Sequence, residues 1–351
     1  MSQIPVLRIL DASLNRATEG LRVIEDYARF VLDDSFLTQN AKTLRHDLAA
    51  ASAVITSTDR HAARDTQRDV GTQISTVAES ERLDAWDVCA ASFKRAEQSL
   101  RSLEEYGKIV STNFAGQCES LRYRLYTLEK AIDQNRLSRA SLQGVTLCVL
   151  VDGRSSAIEF ETVVKSLVAA GIGMIQLRDK NLDDCDLIHR ARLLRQITQG
   201  TSTLFIVNDR ADIAAAVGAD GVHLGQEDLG VKDARTIVGP RMLIGVSTHN
   251  INQARAAVLD GANYLGAGPI FTSTTKSFAE FAGLEYLREV ARETQLPIFA
   301  IGGIAANNLN DVLATGISRV AVSGAITNVP DPASATTELL SMLNTREPLA
   351  V

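Results

Sequence analysis

The 351-residue chain has no apolar run near the ~18 residues that a membrane-spanning helix requires, so no membrane partner is expected. Its first residues, MSQIPVLRIL, lack both the basic and the long apolar part of a secretory leader. Cysteine is scarce: Cys89, Cys118, Cys148 and Cys185 show no CxxC or other metal-ligand spacing. Neither a zinc site nor a disulfide framework is expected, a reducing cytoplasm fits, and Cys148, inside an apolar run, belongs in the core. There is no excess of basic residues. The net charge of −6 argues against a nucleic-acid surface, and a phosphorylated ligand would need a local basic pocket set against that field. GxSxG and any defensible Cys–His pairing are also missing, which removes the usual signs of an activated nucleophile.

What is present centres on residues 205–228, FIVNDRADIAAAVGADGVHLGQED. A β-rich apolar run ends in Asn208 and Asp209, a short helical pattern follows, and a second run ends in Gly225-Gln226-Glu227-Asp228. Successive strands of a parallel sheet bring their ends side by side, so Asp209 and Asp228 form a candidate site for a hard divalent cation such as Mg²⁺ when phosphate oxygens complete the shell. The plainer alternative makes Asp209 a helix cap and Asp228 a solvated turn residue.

Residues 1–138 lack strand-like alternation and read as an all-α domain. Leu14, Ala17, Leu21, Ile24 and Ala28 recur at intervals of three and four, which is one helix face. The stretch ASLNRATEGLRVIEDYARF is echoed by ASFKRAEQSLRSLEEYGKI, matching Arg16 with Arg95, Arg22 with Arg101, Glu25 with Glu104 and Tyr27 with Tyr106. Two related helices suggest pseudo-twofold packing. The charged positions pair at i,i+3 spacing on a helix surface, or, with 44–47 and 66–72, line a phosphate site. No P-loop or GxGxxG marks a nucleotide site. Small and polar residues at 138–144 mark a linker.

From residue 144 the texture changes to βα units, the pattern of a parallel sheet. Strands are predicted at 145–151, 174–177, 204–207, 221–224, 243–246, 264–266, 298–301 and 320–322, each followed by a helical pattern. Eight repeats within 144–344 match a (β/α)₈ TIM barrel, an α/β fold. A doubly wound sheet would need a reversal of strand order, which nothing here marks.

A barrel of this kind carries its functional residues at the carboxy-terminal strand ends. Those ends hold Gln176, Arg178, Asp179 and Lys180, then Asn208 and Asp209, Asp228, Ser247, the run 268–276 containing Ser273, Thr275 and Lys276, then Gly302-Gly303, and Ser323-Gly324. Arg178 and Lys180 alternate with Leu177 and Asp179, so both can face the mouth. With Lys276 they supply three cations, which together with a divalent ion suit a diphosphate. The Gly303 and Ser323-Gly324 turns offer backbone N–H groups to a second, monophosphate ligand. His223 is expected to be packed or to support the site, His249 to lie near it, and His189 to lie on a helix face. A departing diphosphate, with catalysis by positioning and electrostatics, suits this inventory.

The pieces IQLRDK, FIVNDRAD, GVHLGQED, IGVSTHN, LGAGPIFTSTTK, FAIGGI and RVAVSGAI, in order along 144–343, resemble thiamine phosphate synthases. The resemblance implies that hydroxymethylpyrimidine diphosphate joins thiazole phosphate with loss of diphosphate, by a dissociative route through a pyrimidine-methyl cation. It implies that Gln176, Arg178, Lys180, Asn208 and Lys276 bind the pyrimidine diphosphate, with Ser247 beside it. Asp209 and Asp228 would hold Mg²⁺. Ser273, Thr275 and the backbone of Gly303, Ser323 and Gly324 would bind the thiazole phosphate. Ser273 stands where that family usually has Thr, and Ser323-Gly324 where it usually has a bulky apolar residue and Ser. Thiazole tautomerases, which share the fold and some motifs but do not need the full charged set, are the alternative. Residues 9–131, carrying LDASLNRATEGLRVIEDYARFVLDD, LRHDL and RDVGT, resemble a short hydroxymethylpyrimidine-phosphate kinase family found fused ahead of such synthases. That resemblance implies ATP as a further small-molecule partner. A helical dimerisation or scaffold module, making a homo-oligomer, is the rival.

Overall fold

A computed structural model of the chain describes residues 4–70, 81–272 and 281–344. The chain separates into two compact units, Met1–Asp133 and Gln134–Val351. The described part of the first unit is helical: α1 (Ile4–Phe30), α2 (Ser35–Ala51), a 3₁₀ turn (Ser52–Val54), α3 (Ser57–Ala63), α4 (Ala85–Gly107) and the first turns of α5 (Thr112–Ser141). Asp34 and Asp84 cap α2 and α4, accepting from the amides of Leu37 and Asp87 at 2.8 Å in each case. Each such cap is worth about 1 kcal/mol.

The apolar stripe of α1 is buried at Leu14, Ala17, Leu21, Ile24 and Ala28, and its echo in α4 at Phe93, Ala96, Leu100, Leu103 and Gly107. Burying each of the larger side chains contributes about 2 kcal/mol. Ser13 Oγ donates to Ser102 Oγ at 3.1 Å and Arg95 pairs with Glu19, so the two helices run antiparallel. The echo continues into the helices that follow: Leu44-Arg45 and Leu48 of α2 recur as Leu121-Arg122 and Leu125 of α5. In both copies the arginine reaches the buried glutamate of the preceding long helix. Arg45 Nε lies 2.8 Å from Glu25 Oε2, and Arg122 Nη2 lies 2.9 Å from Glu104 Oε2. The unit is thus two equivalent helical hairpins. Arg22 and Arg101 make the expected i,i+3 pairs from half-exposed positions, but their glutamates are core residues. The 44–47 cluster, expected as one side of a phosphate site, is committed to ion pairs: Arg45 to Glu25, and Asp47 to Arg124 at 2.7 Å. Gly71 and Thr72 lie outside the described residues.

Positions 138–141, expected as a linker, are helical, because α5 runs on to Ser141. Ser138 is fully buried, and its hydroxyl accepts from Asn263 Nδ2 at 3.1 Å. Small polar residues there serve close packing rather than flexibility.

The second unit is a closed barrel of eight parallel strands in sequential order: β1 (Leu147–Val151), β2 (Met174–Leu177), β3 (Leu204–Asn208), β4 (Gly221–Leu224), β5 (Leu243–Thr248), β6 (Tyr264–Ala267), β7 (Ile298–Ile301) and β8 (Val320–Val322). The helices between and after them are α6 (Ala157–Ala169), α7 (Asp184–Thr198), α8 (Ala211–Val217), α9 (Val231–Val238), α10 (Ile251–Asp260), α11 (Gly283–Glu293), α12 (Leu309–Leu313), α13 (Gly324–Thr327) and α14 (Pro332–Asn344). The four-residue α13 was not foreseen. β1 starts later than expected because the Val145 amide turns back to the Leu142 carbonyl at 3.2 Å. Both residues then join Cys148, Leu150, Met174, Ile206, Leu243, Tyr264 and Phe299 in the interior core.

Side chains alternate in and out along each strand. Gly245 is the cross-strand partner of Tyr264, and a Cβ at 245 would sit 2.1 Å from the phenol ring. Glycine there leaves the space that lets a phenol lie across the barrel interior. Gly245→Ala is expected to destabilise the barrel by about 1–3 kcal/mol through overpacking, read as a lower urea midpoint. An unchanged midpoint would mean that the ring is free to move aside.

Candidate active site

The end of β3 is the most constrained part of the rim. Asp209 has φ 62°, a left-handed conformation that few non-glycine residues adopt and that Asp tolerates better than most. Its amide donates to the His223 carbonyl at 2.8 Å, and the next amide, of Arg210, turns back to the Asn208 carbonyl at 2.7 Å. That i→i+2 bond makes a γ-turn with Asp209 at its apex. Arg210 anchors the far side through Asp212 at 2.7 Å and Asp184. Held strain of this sort costs on the order of 1–3 kcal/mol and concentrates at functional sites. The turn aims the Asp209 carboxylate at two neighbours. Lys180 Nζ, on a mostly exposed side chain, lies 3.3 Å from Asp209 Oδ2, and the Asp228 carboxyl faces it from the end of β4. Burial raises the Asp209 pKa first, the Asp228 carboxyl raises it further, and Lys180 offsets only part of this. Asp228 is held in turn by the Gly225 amide, which donates to Oδ2 at 2.7 Å.

Arg178 and Lys180 are carried by a knotted loop. The Arg178 amide continues the ladder to the Val151 carbonyl at 2.8 Å. Between the two cations, Asp179 accepts from the amides of Asn181 at 2.7 Å and Leu182 at 3.1 Å, and from Gly153 at 2.9 Å across the barrel rim. Arg190 closes the knot by donating to the Gly153 carbonyl at 2.9 Å. Burial works to raise the Asp179 pKa, but the three amides and the Arg178 charge outweigh it and hold it below the ordinary value. In sequence Asp179 is a candidate salt-bridge partner of Arg178; in the structure its carboxylate is taken up by three amides. The aspartate two residues before Asn181 is an Asx-turn signal that points to this clamp.

Deeper in the barrel, Gln176 is 4% exposed and bears on the Tyr264 hydroxyl. His223 is likewise buried, with Nδ1 3.2 Å from Tyr264 Oη and Nε2 2.9 Å from Ser247 Oγ. Burial, then the Arg178 charge, pushes the His223 pKa down to about 4, so the ring is neutral near pH 7. Gln226 donates to the Ser247 carbonyl and ties the β4 loop to β5. Tyr264 was not foreseen as part of this set, although its inward position follows from the alternation along β6. Asn208 ends β3 beside His223. His249 braces a loop, its ring on the Gly268 carbonyl and its amide on Gln253, and His189 is exposed on α7.

The β7 and β8 ends lie side by side, with Ile301 opposite Ala321. Gly303 has φ 64°, and a Cβ there would sit 2.3 Å from the Thr272 carbonyl oxygen, so only glycine fits. Asn308 Nδ2 holds the Gly303 carbonyl at 2.8 Å. The Ser323 hydroxyl donates to the Leu150 carbonyl at 3.0 Å, so it is engaged with the barrel wall. Ser273, Thr275 and Lys276 lie outside the described residues.

Among the described residues no group of three or more His, Cys, Asp and Glu side chains could hold a metal ion. The Asp209–Asp228 pair still suits Mg²⁺, which keeps several waters and takes one or two carboxylates alongside phosphate oxygens. The Asp209 carboxylate, disfavoured by burial and by its Asp228 neighbour and only partly offset by Lys180, is short of positive charge.

Comparison with known proteins identifies the family of both units. Residues 147–326 match the family described as thiamine monophosphate synthase, and residues 8–131 match the ThiD2 family. The thiamine-phosphate synthase of Rhodopirellula baltica is 46% identical, over 92% of this chain and 88% of that protein. That of Nostoc punctiforme is 41% identical, over 98% of this chain and 95% of that protein. Thiamine phosphate pyrophosphorylase from Pyrococcus furiosus, a solved structure, is 37% identical with a TM-score of 0.52, covering 57% of this chain and 96% of its own.

A carboxylate whose pKa is raised on folding costs stability once ionised, and the cost is absent in acid. Asp209→Asn keeps a residue that tolerates the left-handed turn and removes the charge. Without divalent cations at neutral pH it is expected to raise the barrel's Tm by about 1–4 °C, a gain that disappears as pH falls through the raised pKa. Mg²⁺ is expected to raise the Tm of the parent protein and not of the variant, as ligand linkage requires. An equal Mg²⁺-dependent rise in both would place the cation elsewhere.

Proposed function

The chain belongs to the thiamine monophosphate synthase family, and we propose that the cations and carboxylates at the barrel rim carry that reaction with Mg²⁺. The chain is a transferase of thiamine biosynthesis that forms thiamine phosphate. The observation that carries the residue-level reading is the meeting of Lys180, Asp209 and Asp228 at one point of the rim.

In this reading Arg178, Lys180 and Lys276 grip the diphosphate of hydroxymethylpyrimidine diphosphate. Arg offers a planar fork of donors and Lys a compact charge. Asp209 and Asp228 hold Mg²⁺, which when bound supplies charge neutralisation for the leaving diphosphate. Gln176, Asn208 and Ser247 orient the pyrimidine end. The amides of Gly303, Ser323 and Gly324, with Ser273 and Thr275, hold the thiazole phosphate. The C–O bond breaks with its electron pair leaving on diphosphate, and the thiazole nitrogen lone pair forms the new C–N bond. The clamp of Asp179 on Gly153 supports this by fixing the loop that bears both cations before substrate arrives. A thiazole tautomerase would have no use for this cationic, metal-ready rim.

The helical unit is the kinase that transfers a phosphoryl group from ATP to hydroxymethylpyrimidine monophosphate. Its support is the match of residues 8–131 to the ThiD2 family. Four free thiols suit a reducing cytoplasm.

Asp209→Ala is expected to lower thiamine phosphate formation about 100-fold or more, the scale of losing one key electrostatic group. Near-parental turnover at subsaturating Mg²⁺ would remove Asp209 from the metal site. The full chain, given thiazole phosphate, Mg²⁺ and the pyrimidine monophosphate, is expected to make thiamine phosphate only when ATP is added, and to need no ATP when given the pyrimidine diphosphate. Product from the diphosphate, with none from the monophosphate plus ATP, would remove the kinase.

A further inference from the structure

One run of side chains crosses the barrel interior from β2 to β5. It begins at Gln176, whose amide acts on the Tyr264 hydroxyl, passes to His223 Nδ1 at 3.2 Å, and ends where His223 Nε2 meets Ser247 Oγ at 2.9 Å. Each ring has one seat. Tyr264 fills the space left by Gly245, with Phe299 edge-on at 5.5 Å, and a Cβ at Gly266 would come within 3.0 Å of His223 Cε1. Ser247 alone of the four is both half-buried and at a strand's carboxy-terminal end.

The run has a polarity. The Tyr264 hydroxyl has one hydrogen, and His223 Nδ1, 3.2 Å away, is an acceptor within its reach. A neutral imidazole that accepts at Nδ1 carries its hydrogen on Nε2 and donates it to Ser247 Oγ. Ser247 then accepts from within the barrel, and its own hydrogen is free to point outward.

We infer that His223 is a positioning residue that makes Ser247 a directed hydrogen-bond donor toward an acceptor atom of the pyrimidine diphosphate. The inference rests on the proposed placement of Ser247 beside that ligand. His223 does not touch the substrate; it removes the serine's freedom to choose between donating inward and donating outward. The metal site and the thiazole phosphate cradle are untouched by this role.

The test is a double-mutant cycle on the full chain, using steady-state kinetics with pyrimidine diphosphate and thiazole phosphate. His223→Leu is expected to lower kcat/KM for the pyrimidine diphosphate about 10-fold, the scale of a misoriented contact, with KM for thiazole phosphate unchanged. His223→Gln, whose amide N–H can reach the Nε2 position, is expected to recover most of the loss. In a Ser247→Ala background His223→Leu is expected to cost nothing further, because residues acting as one unit are not additive. Additive losses would overturn the inference, as would failure of His223→Gln to recover any rate while its urea midpoint stays at the parental value. A parental kcat/KM for Ser247→Ala alone would instead refute the placement of Ser247, and the inference with it. Should His223→Leu not fold, Tyr264→Phe deletes one hydroxyl, keeps the ring, and is read through the same cycle.

Discussion

Eight parallel strands close only when each is tilted and staggered against the next, and that stagger decides which side chains share a level inside the barrel. Every residue of the rim depends on it. Asn208 comes to lie beside His223, and Ser247 beside Gly266, because the β3–β4 and β5–β6 registers put them there. Slipping one strand by a single residue would turn its whole inward set outward. The barrel resists such slips by matching volumes across strands: Gly245 faces Tyr264. Packing at the level below the rim therefore sets the positions of the polar groups above it.

The rim itself runs against local preference at several points. Asp209 adopts a left-handed conformation, its carboxylate is half-buried, and the nearest carboxylate raises its pKa. None of this favours the protein alone. It becomes intelligible if a divalent cation and a highly charged ligand complete the balance, since opposite charge favours the ionised form that burial disfavours. The opposite strategy appears at Asp179, where three amides hold the carboxylate below its ordinary pKa and the residue serves only to brace the loop between Arg178 and Lys180. Two neighbouring aspartate-bearing loops thus do different jobs, separated by how many hydrogen-bond donors each carboxylate is given.

The helical unit repeats one hairpin, and the repetition is most visible in its costliest feature. A buried glutamate is sustained only when a well-placed cation meets it. Arg45 does this for Glu25 and Arg122 for Glu104, from equivalent positions on the second helix of each hairpin. The copies have diverged in their surroundings, for Arg122 is also stacked against Tyr123 and Tyr126, at 4.7 and 5.7 Å from the ring centroids.

Period and order were legible in the amino-acid sequence. The alternation of short β-branched runs with helical patterns is a local property, so all eight strands could be placed within a residue or two. The apolar stripe from Leu14 to Ala28 could likewise be seen as a buried face. The positions of the described rim residues were legible for the same reason, since strand ends are marked by where the apolar run stops. What the sequence could not decide was how distant groups divide their hydrogen bonds and charges. Positions 138–141 are helical rather than linker because small polar residues serve tight helix packing as well as flexibility, and only Asn263, 125 positions away, shows which. Glu25 was read as a surface charge because its partner Arg45 lies on another helix. Asp179 and Tyr264 acquired their contacts, to Gly153 and to His223, only when closure brought separate strands together. Pairing energies depend on distances across the fold, and those distances belong to the tertiary structure.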